Sequence, residues 1–247
     1  MSFPGTVQLK PGWEKQVSST KNRKLGTEGY MFPGRWFKYA LAGEAVTVAL
    51  VQTTITAIAN HDLDLVMSAA AAAEATVVIP TLGATAATAN EYADGFFIIN
   101  DAGTEQGHQY LIKSHLAANA SANLTINLDE EDGLVVALTT SEQVGLVHND
   151  CFDFVVNPTT ATDAPLGVSC VDWANNDYGW LQIKGMGMCT ADATAPATGT
   201  PVGPSNATAG NVELVDFSAT YDVIQLGVMR NTASVSTECA PIKWDIP

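Results

Sequence analysis

The chain has 247 residues, of which 47% are hydrophobic and only 15% are charged. An apolar fraction of this size is enough to build a core, so the composition excludes a chain that is disordered throughout. The length permits one large all-β domain or two small ones. Ala, Thr, Val and Gly stand where charged residues are usually found, and these small and β-branched residues suit packed sheets and tight turns.

Charge is unevenly distributed along the chain. Residues 1–38 hold seven of the eleven cations and only two acids, so this segment carries a charge of +5. The rest of the chain holds four cations and twenty-four acids, a charge of −20. A basic segment on an acidic body predicts an interaction arm. The acidic body disfavours non-specific binding of that part to nucleic acid or to anionic membranes.

The sequence predicts a protein that folds in a cytoplasm. Prolines and lysines interrupt the first twenty residues, so we expect no secretory signal, and no stretch of eighteen apolar residues predicts a membrane span. The cysteines have no C-x-x-C spacing and are sparse for a disulfide framework, so we expect reduced, buried thiols. They are Cys151, Cys170, Cys189 and Cys239.

The first element is predicted to be an extended basic arm over residues 1–40. Its first 38 residues contain three prolines and five glycines and keep neither the helix period nor the strand period. Aromatic residues concentrate between residues 30 and 39, which predicts that the end of the arm packs against the body. An N-terminal strand of the domain itself is the alternative interpretation.

Residues 41–150 are predicted to form a first β domain, because short strands recur at a spacing of roughly ten residues with turn residues between them. Phe96–Asn100 and Tyr110–Ser114 flank a run of turn residues and predict a hairpin. Residues 62–75 contain good helix formers but begin with an alternating run, DLDLVMS, that also suits a strand, and we predict one short helix there. The other predicted strands are Val46–Ile55, Ala75–Leu82, Leu124–Leu128, Leu134–Leu138 and Gln143–Val147.

Residues 151–247 are predicted to form a second, smaller β domain. Within it, residues 190–211 have low complexity and predict a long exposed loop or a linker. The predicted strands are Phe152–Val156, Leu166–Val171, Tyr178–Lys184, Val212–Asp216, Val223–Val228 and Pro241–Ile246. The predicted fold class is therefore all-β, a sandwich-like or barrel-like body of two β units with an extended N-terminal arm.

Motifs that carry catalysis are absent from the sequence, which has no G-x-S-x-G, H-E-x-x-H, G-x-G-x-x-G or P-loop pattern. The four histidines are scattered along the chain. The acidic run at residues 129–132 lacks the closing Glu of an EF-hand loop and predicts a solvated turn. We therefore expect no catalytic residue, no cofactor, no metal site and no enzymatic activity.

Three stretches of the chain carry a further signal, namely Lys24–Gly29 with Gly34–Ala40, Thr81–Gly95 with Gly107–His115, and Gly179–Gly185. They resemble structural proteins of tailed-bacteriophage heads. The first is similar to the segment that joins arm and domain in proteins encoded beside capsid genes. The third is similar to the C-terminal strands of capsid cement proteins. The resemblance identifies the chain as a member of the head decoration, or cement, protein family.

This resemblance implies a homotrimeric β knob on the outer surface of the virion, at local threefold positions of the viral capsid. Its partner would be the major capsid protein, whose lattice it would clamp in the expanded head, and neither a membrane nor nucleic acid would be bound directly. The basic arm is the expected contact with the capsid. Its contact residues would be Lys10, Trp13, Lys15, Lys21, Arg23, Lys24, Arg35, Trp36 and Lys38.

Other functions are compatible with parts of the sequence. A carbohydrate-binding or adhesive module of a phage fibre would use the face that Tyr178 and Trp180 share, although a core strand covered by a second sheet is the structural alternative for that face. A hydrolase is disfavoured because Arg and His are scarce. The major shell subunit is disfavoured because no long amphipathic helix is predicted.

Overall fold

The computed structural model describes residues 6–101, 106–129, 131, 133–160, 162–192, 196–215, 224–231 and 238–246. In these ranges the chain forms strands and turns, with one 3-10 turn at Trp13–Lys15 and no α-helix. The predicted all-β class is therefore confirmed. Within these ranges, no helical segment has the length and apolar character of a membrane span.

Eighteen strands are present in the described part of the chain. In chain order, β1 to β18 are Val7–Gln8, Glu28–Met31, Arg35–Leu41, Val51–Thr53, Leu65–Met67, Val77–Val78, Pro80–Thr81, Phe96–Ile99, Gln109–His115, Ile126–Leu128, Gln143–Val147, Val155–Val156, Pro165–Ser169, Tyr178–Thr190, Pro201–Pro204, Val212–Leu214, Gly227–Met229 and Cys239–Asp245.

The strands belong to two compact units. Unit 1 comprises Met1–Thr56 and Asp150–Pro247, and unit 2 comprises Ala57–Asn149. The sequence-based division also placed a boundary near residue 150, but it assigned the chain before that point to an arm and a first domain. In the structure, residues 1–56 instead belong to the same unit as the C-terminal half, because β3 pairs with β14 and β4 pairs with β13.

Unit 1 is built on an eleven-stranded sheet whose longest strand is β14. β14 runs antiparallel to β3 through its first half and to β18 through its second half. β2 and β3 form an antiparallel hairpin in the same sheet, with Phe37 and Tyr39 buried at alternating positions. Residues 28–41 are therefore strands of the domain, as the alternative interpretation expected, and not part of an extended arm.

Part of the low-complexity stretch at residues 190–211 is also sheet. β15 pairs with both β16 and β17, and Val202 is fully buried between them. The buried Asp192 accepts hydrogen bonds from Ser205 Oγ and, at 3.1 Å, from Asn211 Nδ2. The expectation of a long loop or linker is wrong here, because Val202 is buried in the core of the unit and the strand around it pairs on both sides. Residues 193–195 lie outside the described residues.

Unit 2 is built on a seven-stranded sheet with the strand order β6-β10-β9-β8-β11-β5-β7. The predicted hairpin is confirmed, since β8 and β9 pair antiparallel, while residues 102–105 of its loop are not described. The predicted helix at 62–75 is wrong, because β5 lies there. Leu65 and Met67 are buried on either side of the exposed Val66, so the period of two outweighs the helix propensity of the neighbouring alanines.

Of the remaining predicted strands, only Leu134–Leu138 is not a regular strand, although Leu138 forms an isolated bridge with Ala71. Each of the others overlaps an observed strand, with ends shifted by a few residues. The predicted ends Asp216 and Val223 lie outside the described residues.

A recurrent turn leads into several strands and was not apparent as a sequence repeat. In each turn, one residue forms an isolated β-bridge. The backbone N–H of the next residue then donates a hydrogen bond to the side-chain carboxylate of the residue three positions after that donor. The donor and acceptor pairs are Thr88 and Glu91 at 2.6 Å, Thr139 and Glu142 at 2.6 Å, and Ala174 and Asp177 at 2.8 Å. These carboxylates satisfy backbone donors that would otherwise be left without a partner at the turn.

Three of the four scattered histidines meet around the buried Tyr92 in unit 2. His61 Nε2 lies 2.9 Å from the carbonyl oxygen of Thr85, so this nitrogen donates, and His61 Nδ1 lies 2.5 Å from the Tyr92 hydroxyl. The ring of His148 stacks on that of Tyr92 with centroids 4.3 Å apart. His115 Nε2 accepts the backbone N–H of Tyr92 at 3.0 Å. The cluster satisfies polar groups inside the core of this unit.

His115 is held in its neutral form by these contacts. Its Nδ1 donates to the carbonyl oxygen of Leu116 at 2.9 Å, so both ring nitrogens are engaged and Nε2 cannot gain a proton without losing the bond from Tyr92. Burial lowers the pKa of His115 below its ordinary value. The titratable groups that face it are Glu91 and His148, whose side chains lie 3.5 Å apart.

We expect acid to destabilise unit 2. The pKa of His115 is lower in the folded state than the value of about 6.5 in the unfolded state, so the unfolded state binds more protons as the pH falls below about 6.5. The stability present above that pH therefore declines below it. Hydrogen exchange of peptides from residues 57–149, corrected for intrinsic rates, measures the opening free energy on both sides of this pH.

The substitution His115→Gln should reduce this pH dependence. His108→Gln is the matched control because His108 is exposed. A pH dependence that persists unchanged in His115→Gln would assign the effect to other groups.

Candidate functional site

Residues 6–27 cross the surface of unit 1 and are called the N-terminal segment below. Its first strand, β1, pairs in parallel with β2, and Leu9 is buried in the core of the unit. Further along, Ser18 forms a bridge with Tyr178 at the start of β14. The segment is thus attached to the sheet at several points along its length.

A pocket of about 200 Å³ opens between the N-terminal segment, β3 and β14. Four aromatic side chains line it, namely Trp13, Tyr39, Tyr178 and Trp180. The segment contributes polar residues to the same pocket, among them Asn22 and Arg23. The pocket combines an aromatic interior with a cation at its edge.

The aromatic floor of the pocket is fixed by strand register. Tyr39 and Trp180 are directly opposite each other on β3 and β14, and their ring centroids lie 5.2 Å apart at an interplanar angle of 67°. The Tyr178 ring is parallel to that of Tyr39, with centroids 6.2 Å apart. Distances of this kind favour aromatic pairs. Both floor residues, Tyr39 and Trp180, are buried.

Glycine allows the Trp180 indole to lie against the neighbouring backbone. A Cβ atom at Gly29 would stand 2.9 Å from the Trp180 ring and 2.8 Å from the Leu9 side chain. Any larger residue at this position would displace one of these two side chains, so Gly29 is part of the construction of the pocket floor.

Polar groups of the segment close the pocket from the other side. The backbone N–H of Asn22 donates to the Tyr39 hydroxyl at 3.1 Å. The guanidinium of Arg23 lies over the Trp180 ring, 5.9 Å from its centroid, within the range of a cation–π interaction. These contacts hold residues 22–23 at the rim of the pocket.

The nine predicted contact residues do not form one continuous arm. Four lysines of the N-terminal segment are exposed, and the other five side chains are half-buried. The exposed group is Lys10, Lys15, Lys21 and Lys24, and the half-buried group is Trp13, Arg23, Arg35, Trp36 and Lys38. The structure brings Trp13 and Arg23 together at the pocket and places the Lys10 ammonium 5.8 Å from the Trp13 ring.

Arg35 is part of the internal structure of unit 1. Its guanidinium lies 3.4 Å from the buried carboxylate of Glu14, donates to Gln182 Oε1 at 2.8 Å, and covers the Phe37 ring at 4.9 Å. Trp36 packs edge-on against Tyr30 with centroids 5.3 Å apart. These two residues connect the N-terminal segment, the hairpin and β14, a role that the charge pattern did not indicate.

Sequence reasoning did not single out Asn22 or Tyr39 for this site. It treated Tyr178 and Trp180 as an open face or as part of a core strand, and the structure supports the core strand, since Trp180 and Gln182 are buried. The aromatic residues at 39, 178 and 180 were a usable signal. Their convergence became visible only through the pairing of β3 with β14.

The cysteines carry free thiols. Cys151 and Cys189 are buried, Cys170 is half-buried, and Cys239 is exposed. The prediction that the thiols are buried is therefore correct for Cys151 and Cys189 and wrong for Cys239. Burial raises the pKa of Cys151 to about 12 and that of Cys170 to about 11, so these two thiols are protonated at neutral pH. Among the described residues, no group of three or more His, Cys, Asp or Glu side chains is placed to hold a metal ion.

The chain matches no protein-family model, no curated protein and no solved structure. Its function is therefore inferred from geometry and charge. No carboxylate, imidazole or thiol is among the residues that line the pocket, so the pocket offers groups for binding but no acid–base pair.

Replacing Arg35 by alanine is expected to lower the free energy of unfolding of unit 1 by about 1.5–3 kcal/mol, because hydrogen bonds to charged groups are of that size and Glu14 would stay buried without its cation. Urea unfolding followed by tryptophan fluorescence measures unit 1 selectively, since all five tryptophans lie in it. They are Trp13, Trp36, Trp173, Trp180 and Trp244.

The control for this prediction is Lys15→Ala, an exposed cation one residue from Glu14. Its effect should stay within about 0.5 kcal/mol. An equally small effect of Arg35→Ala would show that the Arg35 contacts do not stabilise the unit.

Proposed function

We propose that this protein is a structural virion protein, a head decoration (cement) protein that binds the major capsid protein lattice of a tailed bacteriophage and stabilises the expanded head. The observation that carries the proposal is the display of basic side chains beside an aromatic pocket on an otherwise acidic protein. The three stretches that resemble structural proteins of phage heads support it. The pocket supports it as well, because its aromatic and polar residues offer groups for binding.

The charge distribution favours an acidic protein surface as the target. The N-terminal segment holds five cations, and its single acid, Glu14, is buried beside Arg35. Residues 57–149 hold twelve acids and one cation, a charge of −11. The phosphate backbone of DNA would be repelled by most of this chain, which favours a protein partner over nucleic acid.

Exposed ion pairs supply only part of the expected affinity. Each is worth about 0–1 kcal/mol and is screened by salt. A buried aromatic contact contributes more in protein interfaces, where Trp, Tyr and Arg dominate the binding energy. The basic and aromatic parts of the surface therefore have complementary roles, the first in attracting the lattice and the second in holding it.

In this proposal the protein folds in the host cytoplasm and is then placed on the outer surface of the virion. It is not an enzyme and uses no cofactor. It contacts neither a membrane nor nucleic acid directly.

The proposal is tested by co-sedimentation with expanded heads that are assembled from the major capsid protein of the same phage and lack this chain. The wild-type protein should sediment with these heads. The double variant Lys10→Glu/Lys15→Glu should bind about tenfold more weakly at low salt, since two exposed charges are reversed. The double variant Lys184→Glu/Lys243→Glu makes the same change in net charge on β14 and β18 and should bind like wild type.

Absence of wild-type binding to the heads would overturn the proposed function. Equal weakening by both double variants would show that net charge matters and that the N-terminal segment does not.

We also propose that the protein assembles as a homotrimer. The resemblance to cement proteins motivates this number, and the basic segment of one copy is complementary in charge to residues 57–149 of another. Light scattering at micromolar concentration should return three times the chain mass of 25.9 kDa. A stable mass of 25.9 kDa under these conditions would contradict the trimer.

A further inference from the structure

We infer that the pocket beside the N-terminal segment receives one aromatic side chain from an acidic segment of the capsid protein. The inference rests on the proposed function, because it names the chemistry by which the same partner would be recognised. It names the kind of side chain that the pocket would bind, which the charge of the surface does not specify.

The size of the pocket suits a single side chain. Its volume of about 200 Å³ is below the roughly 300–1,000 Å³ of sites for drug-sized ligands. Trp13 and Tyr178 form half-buried walls around the buried floor of Tyr39 and Trp180. An inserted ring would meet aromatic edges and faces at the distances that stabilise such pairs.

The rim of the pocket suits a negatively charged neighbour of that side chain. Arg23 is half-buried over the Trp180 ring and presents a planar guanidinium that matches the geometry of a carboxylate. Lys21 and Lys24 flank it in sequence and are exposed. An acidic residue next to the inserted ring would therefore lie close to the Arg23 guanidinium.

The same geometry argues against a flat ligand such as a sugar ring. Arg23 covers the Trp180 ring, and both floor residues are almost fully buried. The pocket thus favours a side chain that enters end-on over a ring laid on an open aromatic platform.

The first experiment fills the pocket. Asn22→Phe places a ring at the pocket while the backbone N–H that donates to Tyr39 is retained. We expect this variant to bind expanded heads roughly tenfold more weakly or worse. The matched control is Thr20→Phe, which adds the same ring to an exposed position of the segment that does not line the pocket. Arg23→Gln, a second variant that adds no bulk, should also weaken binding.

The second experiment probes the pocket without heads. An acidic pentapeptide, Glu-Asp-Phe-Asp-Glu, should change the tryptophan fluorescence saturably, because Trp13 and Trp180 line the pocket. The same peptide with alanine in place of phenylalanine should not, and Asn22→Phe should abolish the response to the first peptide.

These results separate the inference from the proposed function. Heads that bind Asn22→Phe and Arg23→Gln as tightly as wild type, while discriminating against Lys10→Glu/Lys15→Glu, would overturn the inference and leave the proposed function standing. A saturable response to an acidic oligosaccharide, with none to the phenylalanine peptide, would overturn it in favour of a glycan. A peptide response without any binding to heads would retain the pocket chemistry and reject the capsid as its source.

Discussion

Unit 1 is organised around the pairing of β14 with β3. β14 uses its first half to bind the N-terminal hairpin and its second half to bind β18, so one strand joins both ends of the chain. At the irregularity between these halves, the buried Gln182 donates to the carbonyl oxygens of Lys184 and Met186 and accepts from Arg35. Arg35 then reaches Glu14, which links the sheet to the N-terminal segment.

This link changes how the basic residues are presented. An extended arm would lose conformational entropy when it bound a partner. Here the segment is ordered during folding by β1, by the buried Leu9 and by the Ser18 bridge. The backbone that carries its lysines is therefore held in place before a partner arrives, and preorganisation of this kind favours affinity.

The recurrent turn marks where several strands begin, and it occurs in both units. In each instance, a single carboxylate accepts the backbone N–H of the residue three positions earlier. Thr88 and Thr139 also donate their hydroxyls to the same acids, Glu91 and Glu142. Part of the acidic charge that the composition shows is thus structural. The pattern T-x-x-E is readable in the sequence, but only the structure shows that it recurs before strands.

The sequence predicts the fold class, most strand positions and the separation of charge, because composition and a period of two are local properties of the chain. It also indicated that aromatic residues near 30–39 pack down, as Phe37 and Tyr39 do. Three features depend on long-range packing and are not predicted by the sequence: the grouping of residues 1–56 with 150–247, the gathering of three histidines around Tyr92, and the pocket formed by Trp13, Tyr39 and Trp180. Each of these joins residues far apart in the chain, and which strands pair depends on the packing of the whole unit and not on any local pattern.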